Sequence, residues 1–236
     1  METRWLEQTE ADLPASDEWL SPEEAVVLGR MRLAKRRAYW RLGRWTAKRA
    51  AAACLKLPGD PRSLCEIEIR AAASGAPELF LAGRPAGLTI SISHRAGIAA
   101  CAIATGDVAL GCDLELIEPR DASFVSDYFT EEEQALIARQ PEQERPGVVT
   151  LIWSAKESAL KALREGLRID TRSLAVMLPD RGHSSDPPTW QPLQVAYSGG
   201  EVFQGWWQIS EGLVRTLVAF PAPVMPLPPK LIALSA

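Results

Sequence analysis

Two stretches of this chain resemble each other at long range: WTAKRAAAACL at residues 45–55 and WSAKESALKAL at 153–163 begin 108 positions apart. The tryptophan, the lysine, two alanines and the final leucine coincide. Alanine is common in any helix and its matches carry little weight, but the surroundings repeat as well. Helical pattern precedes strand pattern in both places, and strands are expected near Leu64 and Leu174 at nearly the same spacing. A chain made of two copies of one helix-and-strand unit must build two similar cores. With 236 residues, 47% of them hydrophobic, it has enough apolar mass for two small cores or one large one. The expected fold is α+β, a pseudo-twofold duplication of two similar helix-plus-sheet halves with a cleft between the copies.

Local signals give the order of elements. Ser21, Pro22 and Glu24 form a helix start, with a capping hydroxyl, a proline at the first helical position and an acid able to close a capping box. Helical pattern then runs toward Leu57, as one helix or two, until Pro58 and Gly59 stop it. Alternation at 66–70 and 88–93, the apolar run at 98–104, and residues 109–116 predict strands. Thr130 and Glu133 repeat the capping-box signal, and helical periodicity resumes through Trp153, Leu160 and Leu163. Further strands are expected at 173–178, 193–197, 202–209 and 213–220, with a loop around Pro187 and Pro188. The halves are drawn as 1–108 and 109–221, followed by a proline-rich extended tail at 222–236.

Composition excludes several classes. A net charge of −4 is wrong for a generally basic nucleic-acid binder. Residues 30–49 depart from it, with nine Lys or Arg and no acid. Such a strip is often only a solvated helix face, but it also suits a phosphate or an acidic protein partner in preference to nucleic acid. No apolar run approaches a membrane span or a secretory core, so a cytoplasmic protein is expected. Cys54, Cys65, Cys101 and Cys112 include no CxxC pair and only His94 and His183 could join them, so reduced thiols are expected instead of a zinc site.

The chemistry-bearing residues fall in three places. In GCDLE, Asp113 and Glu115 are two apart on an expected strand and leave one face about 7 Å apart. Hard oxygens so placed suit Mg²⁺, though the solvent face of an ordinary edge strand looks the same. In WSAKESALK, Glu157 and Lys161 share a helical face, an arrangement that alone would be a surface ion pair, while Lys156 points elsewhere. The first copy has Arg49 and Ala53 in their places. In SISH, Ser91 and Ser93 share a strand face and His94 stands at the strand end, where hydroxyls and ring nitrogen could meet phosphate. No P-loop, GxGxxG or GxSxG signature is present.

In this order SISH, GCDLE and WSAKESALK resemble the three motifs of the larger, surfactin-synthetase-activating type of 4'-phosphopantetheinyl transferase. SGAPELF at 74–80 is similar to that family's glycine-proline loop and AKRRAYWRLGR at 34–44 to its basic helix. The resemblance implies transfer of phosphopantetheine from coenzyme A to a serine of an apo acyl or peptidyl carrier protein, releasing adenosine 3',5'-bisphosphate. It implies that Asp113, Glu115 and Glu157 hold Mg²⁺, that Lys161 lies along the phosphates, and that Glu157 is the general base with Glu133 ranked below it. It further implies coenzyme A contacts from Ser91, Ser93 and His94, from Lys35 toward the 3'-phosphate, and from the loop of Gly75, Ala76 and Pro77. Ala76 replaces the lysine common in that loop, removing one cation. A monomer is expected, since a duplicated chain supplies both walls of its own cleft. The competing classes are a silent coenzyme A or carrier-binding module and another Mg²⁺-dependent phosphoryl-transfer enzyme.

Overall fold

The computed structural model describes residues 2–179, 189–221 and 230–232. It divides into two compact units, Met1–Val108 with Pro229–Ala236, and Ala109–Pro228. Each is a strand, then helices, then four antiparallel strands. The first unit comprises β1 (Thr3–Thr9), α1 (Pro22–Gly29), α2 (Ala34–Leu55), α3 (Pro61–Cys65), β2 (Ile67–Ala71), β3 (Pro77–Leu81), β4 (Arg84–Arg95) and β5 (Ile98–Thr105). The second comprises β6 (Ala109–Leu116), α4 (Ala122–Tyr128), α5 (Glu131–Ala138), α6 (Arg145–Leu163), β7 (Leu174–Met177), β8 (Gln191–Tyr197), β9 (Val202–Ser210) and β10 (Leu213–Phe220). A short β11 (Lys230–Leu231) completes the first sheet, whose order is β11-β1-β5-β4-β3-β2, and the second sheet runs β6-β10-β9-β8-β7. This is the expected α+β fold of two helix-plus-sheet halves.

The duplication extends to single hydrogen bonds. In each unit the N-cap hydroxyl of a short helix, Ser21 or Thr130, binds the N–H of a glutamate three residues on, Glu24 or Glu133, whose carboxylate returns to the cap N–H. The same carboxylate then accepts a strand N–H, Ile69 for Glu24 at 3.1 Å and Val176 for Glu133 at 2.8 Å. It also pairs with a buried lysine of the long helix, Lys48 in α2 and Lys156 in α6. Those lysines donate to two carbonyls each, Trp19 and Leu64 in one unit, Thr171 and Leu174 in the other. Both long helices end alike, with Lys56 and Arg164 in left-handed geometry at φ 57° and 60° and the next residue's N–H bonded five residues back.

Burial pulls the pKa of Lys48 and of Lys156 down, and the paired glutamate opposes it in both. Glu133, the lower-ranked candidate base, is therefore structural: 2% exposed and committed to Lys156, a cap and a strand.

Apolar cores fill the space between helices and sheet, Trp45, Ala47 and Ala51 against Leu6 and Ile103 in the first unit, Leu151, Ala155 and Ala159 with Val214 and Val218 in the second. One contact in the second unit is unusually close. A Cβ built on Gly111 of β6 would lie 1.7 Å from the Ser158 carbonyl oxygen of α6, so strand and helix touch backbone to backbone.

The helical stretch before Leu57 is two helices, broken at residues 30–33. Two strands go beyond the sequence expectation, β1 and β3. In β1 the alternation lapses because neighbours Trp5 and Leu6 are both buried, as are the polar Thr3 and Gln8. β3 starts at a proline, tolerated as the first residue of a strand. Part of the expected tail also forms structure, Lys230–Leu231 pairing in parallel with β1. The expected loop at Pro187 and Pro188, and 222–229 and 233–236 of the tail, lie outside the described residues. Cys101 and Cys112 are buried, Cys54 and Cys65 half-buried, all four as free thiols. Among the described residues no helix is long and apolar enough to cross a membrane.

Lys156→Met, leaving Glu133 charged inside, should cost about 3–5 kcal/mol in chemical denaturation. Gly111→Ala should cost at least about 1–3 kcal/mol, because backbone and not a pliable side chain blocks the new methyl.

Candidate functional site

The close approach of β6 and α6 assembles the second unit's charged groups. Asp113 and Glu115 leave the helix-facing side of β6, and one turn of α6 separates Glu157 from Lys161. Asp113 is 5% exposed, its Oδ1 accepting from Lys161 Nζ at 2.8 Å and its Oδ2 from Ser154 Oγ at 2.9 Å. Lys161 also donates to the Cys112 carbonyl at 2.9 Å. Burial works against the charge on Lys161, but Asp113, with a contribution from Glu157, outweighs it and raises the lysine pKa, so the group is held as an ammonium. Glu157 is half-buried, and its carboxyl pKa is pushed up by burial and by the negative charges of Asp113 and Glu115, against the opposing pull of Lys161. Asp113 and Glu115 thus lie within electrostatic reach of Glu157, and Lys161 is paired with Asp113.

The oxygens of these carboxylates are hard donors of the kind Mg²⁺ takes. Among the described residues no group of three acidic, histidine or cysteine side chains is gathered so that it could hold a metal ion. Mg²⁺ does not require three; it ordinarily binds one or two carboxylates and completes its shell with water and phosphate.

The remaining expected residues lie in the first unit. Lys35, in the first turn of α2, sits with Nζ 5.7 Å from the centre of the Tyr39 ring, and Tyr39 stacks on His94 at 4.7 Å and 10°. Strand alternation sends His94 to one face of β4 and Ser91 and Ser93, both buried, to the other, so the SISH groups are not one cluster on one face. Gly75 and Ala76 form the turn between β2 and β3, with Gly75 at φ 89° and Pro77 opening β3. The Ala76 N–H binds Ser74 Oγ at 3.3 Å and its carbonyl the Ala72 N–H at 2.9 Å, so its backbone is engaged within the turn.

Sequence reasoning passed over Ser154, Ser158 and Thr216, hydroxyls at 0% exposure, because buried serine and threonine follow the same periodicity as apolar neighbours. Ser154 had one available signal, its place within WSAKE one turn before Ser158. The second unit also holds a cavity of about 820 Å³ lined by Arg120, Val125, Gln134, Ile137, Arg145 and Val149 among others; none of the four charged residues lines it.

A folded-state pKa above the unfolded one means that the folded state holds the Glu157 proton more tightly, so stability falls as pH rises from the ordinary glutamate value through the raised one. Glu157→Gln should therefore stabilise the metal-free protein at neutral pH, by roughly 0.5–2 kcal/mol, and the gain should vanish in acid. Denaturant titrations at pH 4 and pH 7 measure both.

Residues 109–191 match the family model of the 4'-phosphopantetheinyl transferase superfamily, a span holding Asp113, Glu115, Glu157 and Lys161. The chain is also 23% identical over 194 residues to the 4'-phosphopantetheinyl transferase HetI of Nostoc sp. (strain PCC 7120 / SAG 25.82 / UTEX 2576), a match covering 80% of this chain and 79% of that protein. Beside the duplicated α+β architecture and the acid-and-lysine group between β6 and α6, these matches make the chain similar to the 4'-phosphopantetheinyl transferase superfamily, the family model over residues 109–191 and the Nostoc protein at 23% identity.

Proposed function

We propose that this protein moves the 4'-phosphopantetheine group of coenzyme A onto a serine of an apo acyl or peptidyl carrier protein, releasing adenosine 3',5'-bisphosphate. The observation that carries this is the Lys161–Asp113 ion pair with Glu157 one turn away, inside the stretch that matches the superfamily. HetI, similar over most of its length, bears the name of that activity.

The carrier serine oxygen attacks the phosphorus on the pantetheine side, its bond to phosphorus forming as the pyrophosphate P–O bond breaks, and the adenosine bisphosphate departs with that bond's electrons. Such a reaction needs alignment and positive charge far more than covalent help. Lys161, kept charged by Asp113, supplies a fixed ammonium for phosphate oxygens. Glu157 takes the serine proton, and a carboxylate whose proton affinity is raised is a stronger base than one in water. Asp113, Glu115 and Glu157 would hold Mg²⁺, which supplies charge neutralisation at the pyrophosphate when bound. In the first unit Lys35, Ser91, Ser93, His94 and the turn of Gly75, Ala76 and Pro77 are the proposed coenzyme A contacts, Ala76 lacking a cationic side chain.

Intact-mass measurement of an apo carrier protein incubated with coenzyme A, Mg²⁺ and the protein tests the reading: a phosphopantetheine adduct on serine is expected. Coenzyme A binding without an adduct on any carrier would indicate a silent binding module instead. Glu157→Ala should slow transfer by roughly 10²-fold or more, with Asp113→Ala as severe and both variants folded. Lys161→Ala should reduce the transfer rate more than coenzyme A affinity; a loss confined to affinity would remove its transition-state role.

A further inference from the structure

Ser154 Oγ lies 2.9 Å from Asp113 Oδ2 and 2.9 Å from Thr216 Oγ1, and Thr216 Oγ1 lies 2.7 Å from Ser158 Oγ. Ser154, Thr216 and Ser158 are completely buried, and Thr216 stands directly opposite Asp113 in the β6–β10 ladder. Each hydroxyl has one proton, and an ionised carboxylate only accepts. Ser154 must therefore donate to Asp113. Thr216 then donates to Ser154, dividing its proton between the serine's hydroxyl and its carbonyl, which is also 2.9 Å away. Ser158 donates to Thr216. The chain has one direction and ends on the carboxylate, with Lys161 holding the other oxygen.

The first unit provides an internal control. At the same 108-residue offset Ser154 falls on Thr46, Ser158 on Ala50 and Lys161 on Ala53. β1 and β5 pair there as β6 and β10 do, and Leu6, Cys101 and Ile103 pack in the core beside α2. Thr46 spends its hydroxyl on the Leu42 carbonyl of its own helix, at 2.9 Å. The architecture therefore forms without a hydroxyl chain between helix and sheet, and the chain occurs in the half that carries the carboxylate. Three hydroxyls in a helix–sheet core are costly unless satisfied, and here each is satisfied within the chain that ends on Asp113.

We infer that Ser154, oriented by Thr216 and Ser158, is a positioning residue that fixes the Asp113 carboxylate for cation binding. This rests on the reading of Asp113 as a metal-holding group. With Oδ2 tied to Ser154 and Oδ1 to Lys161, the carboxylate is held against turning about its terminal bond.

The test titrates full-length wild type, Ser154→Ala, Thr216→Val, Thr216→Ser, Asp113→Asn and Ser154→Ala/Asp113→Asn with Mn²⁺, following free ion by electron paramagnetic resonance, while intact mass follows carrier modification. Ser154→Ala and Thr216→Val should bind Mn²⁺ roughly 10-fold more weakly. Thr216→Ser, which keeps the hydroxyl, should stay close to wild type, and Ser154→Ala should have no further effect once Asp113 is Asn. Wild-type Mn²⁺ affinity in Ser154→Ala and Thr216→Val, or a loss unchanged by Asp113→Asn, overturns the inference. If Ser154→Ala fails to fold by circular dichroism, the near-isosteric Thr216→Val and Thr216→Ser pair decides. Mn²⁺ affinities that differ as expected without any carrier adduct would reject the transferase reading and keep the positioning role; adduct formation with indifferent affinities would do the reverse.

Discussion

Both halves of the molecule depend on a buried lysine–glutamate pair, Lys48 with Glu24 and Lys156 with Glu133. Removing two charges from water is expensive, and such a pair is retained only where further hydrogen bonds use up the remaining protons and lone pairs. Here they do. The lysine reaches two carbonyls, while the glutamate closes a capping box and holds a strand N–H. One ion pair thereby fixes the start of a short helix, the middle of a long one and the first of the closing strands. An aromatic ring beside each ammonium, Trp19 at 5.6 Å and Phe129 at 5.5 Å, repeats the environment as well.

The pair also decides where chemistry can stand on the second helix. Residues on an α-helix step by 3.6 per turn, so anchoring Lys156 turns its neighbour Glu157 and, one turn later, Lys161 onto an adjoining face. That face meets β6 where Gly111 lets the backbones touch, which brings Lys161 within 2.8 Å of Asp113. In the first half the same wheel positions carry Arg49, which reaches the Gly59 carbonyl, and Ala53. A common scaffold thus holds a charged group in one copy and an apolar interface in the other. Burial first, and then the carboxylates of Asp113 and Glu115, raise the proton affinity of Glu157 on this face.

What was legible in the sequence follows from this. The two capping boxes, the 108-residue offset and the wheel argument that set Lys156 apart are local or periodic signals, and they survive in the structure. β1 was hidden because adjacent residues Trp5 and Leu6 are both buried, and β3 because a proline opens it. The pairing of Lys230–Leu231 with β1 joins the two ends of the chain, a contact no window of sequence contains. The motif SISH was legible as a strand end, but alternation divides its serines from its histidine, and the Tyr39 ring stacked on His94 belongs to another element altogether. The hydroxyl chain under Asp113 was invisible for the same reason, since Ser154 and Thr216 are 62 residues apart.

The match to the superfamily covers residues 109–191, within the unit that carries the acids. Packing restricts residue identity weakly, because many apolar combinations fill the same volume. Charge and hydrogen bonding restrict it strongly. A glycine at 111 is demanded by a carbonyl 1.7 Å from where its Cβ would be, and Asp113 and Lys161 must be able to form one ion pair. The first unit keeps its buried pair but interlocks α2 with β1 and β5 largely through Leu6, Ala47, Ala50, Ala51 and Ile103, for which other apolar residues could substitute. Likeness between distant sequences should therefore persist longest where side-chain chemistry, and not volume, selects the residue.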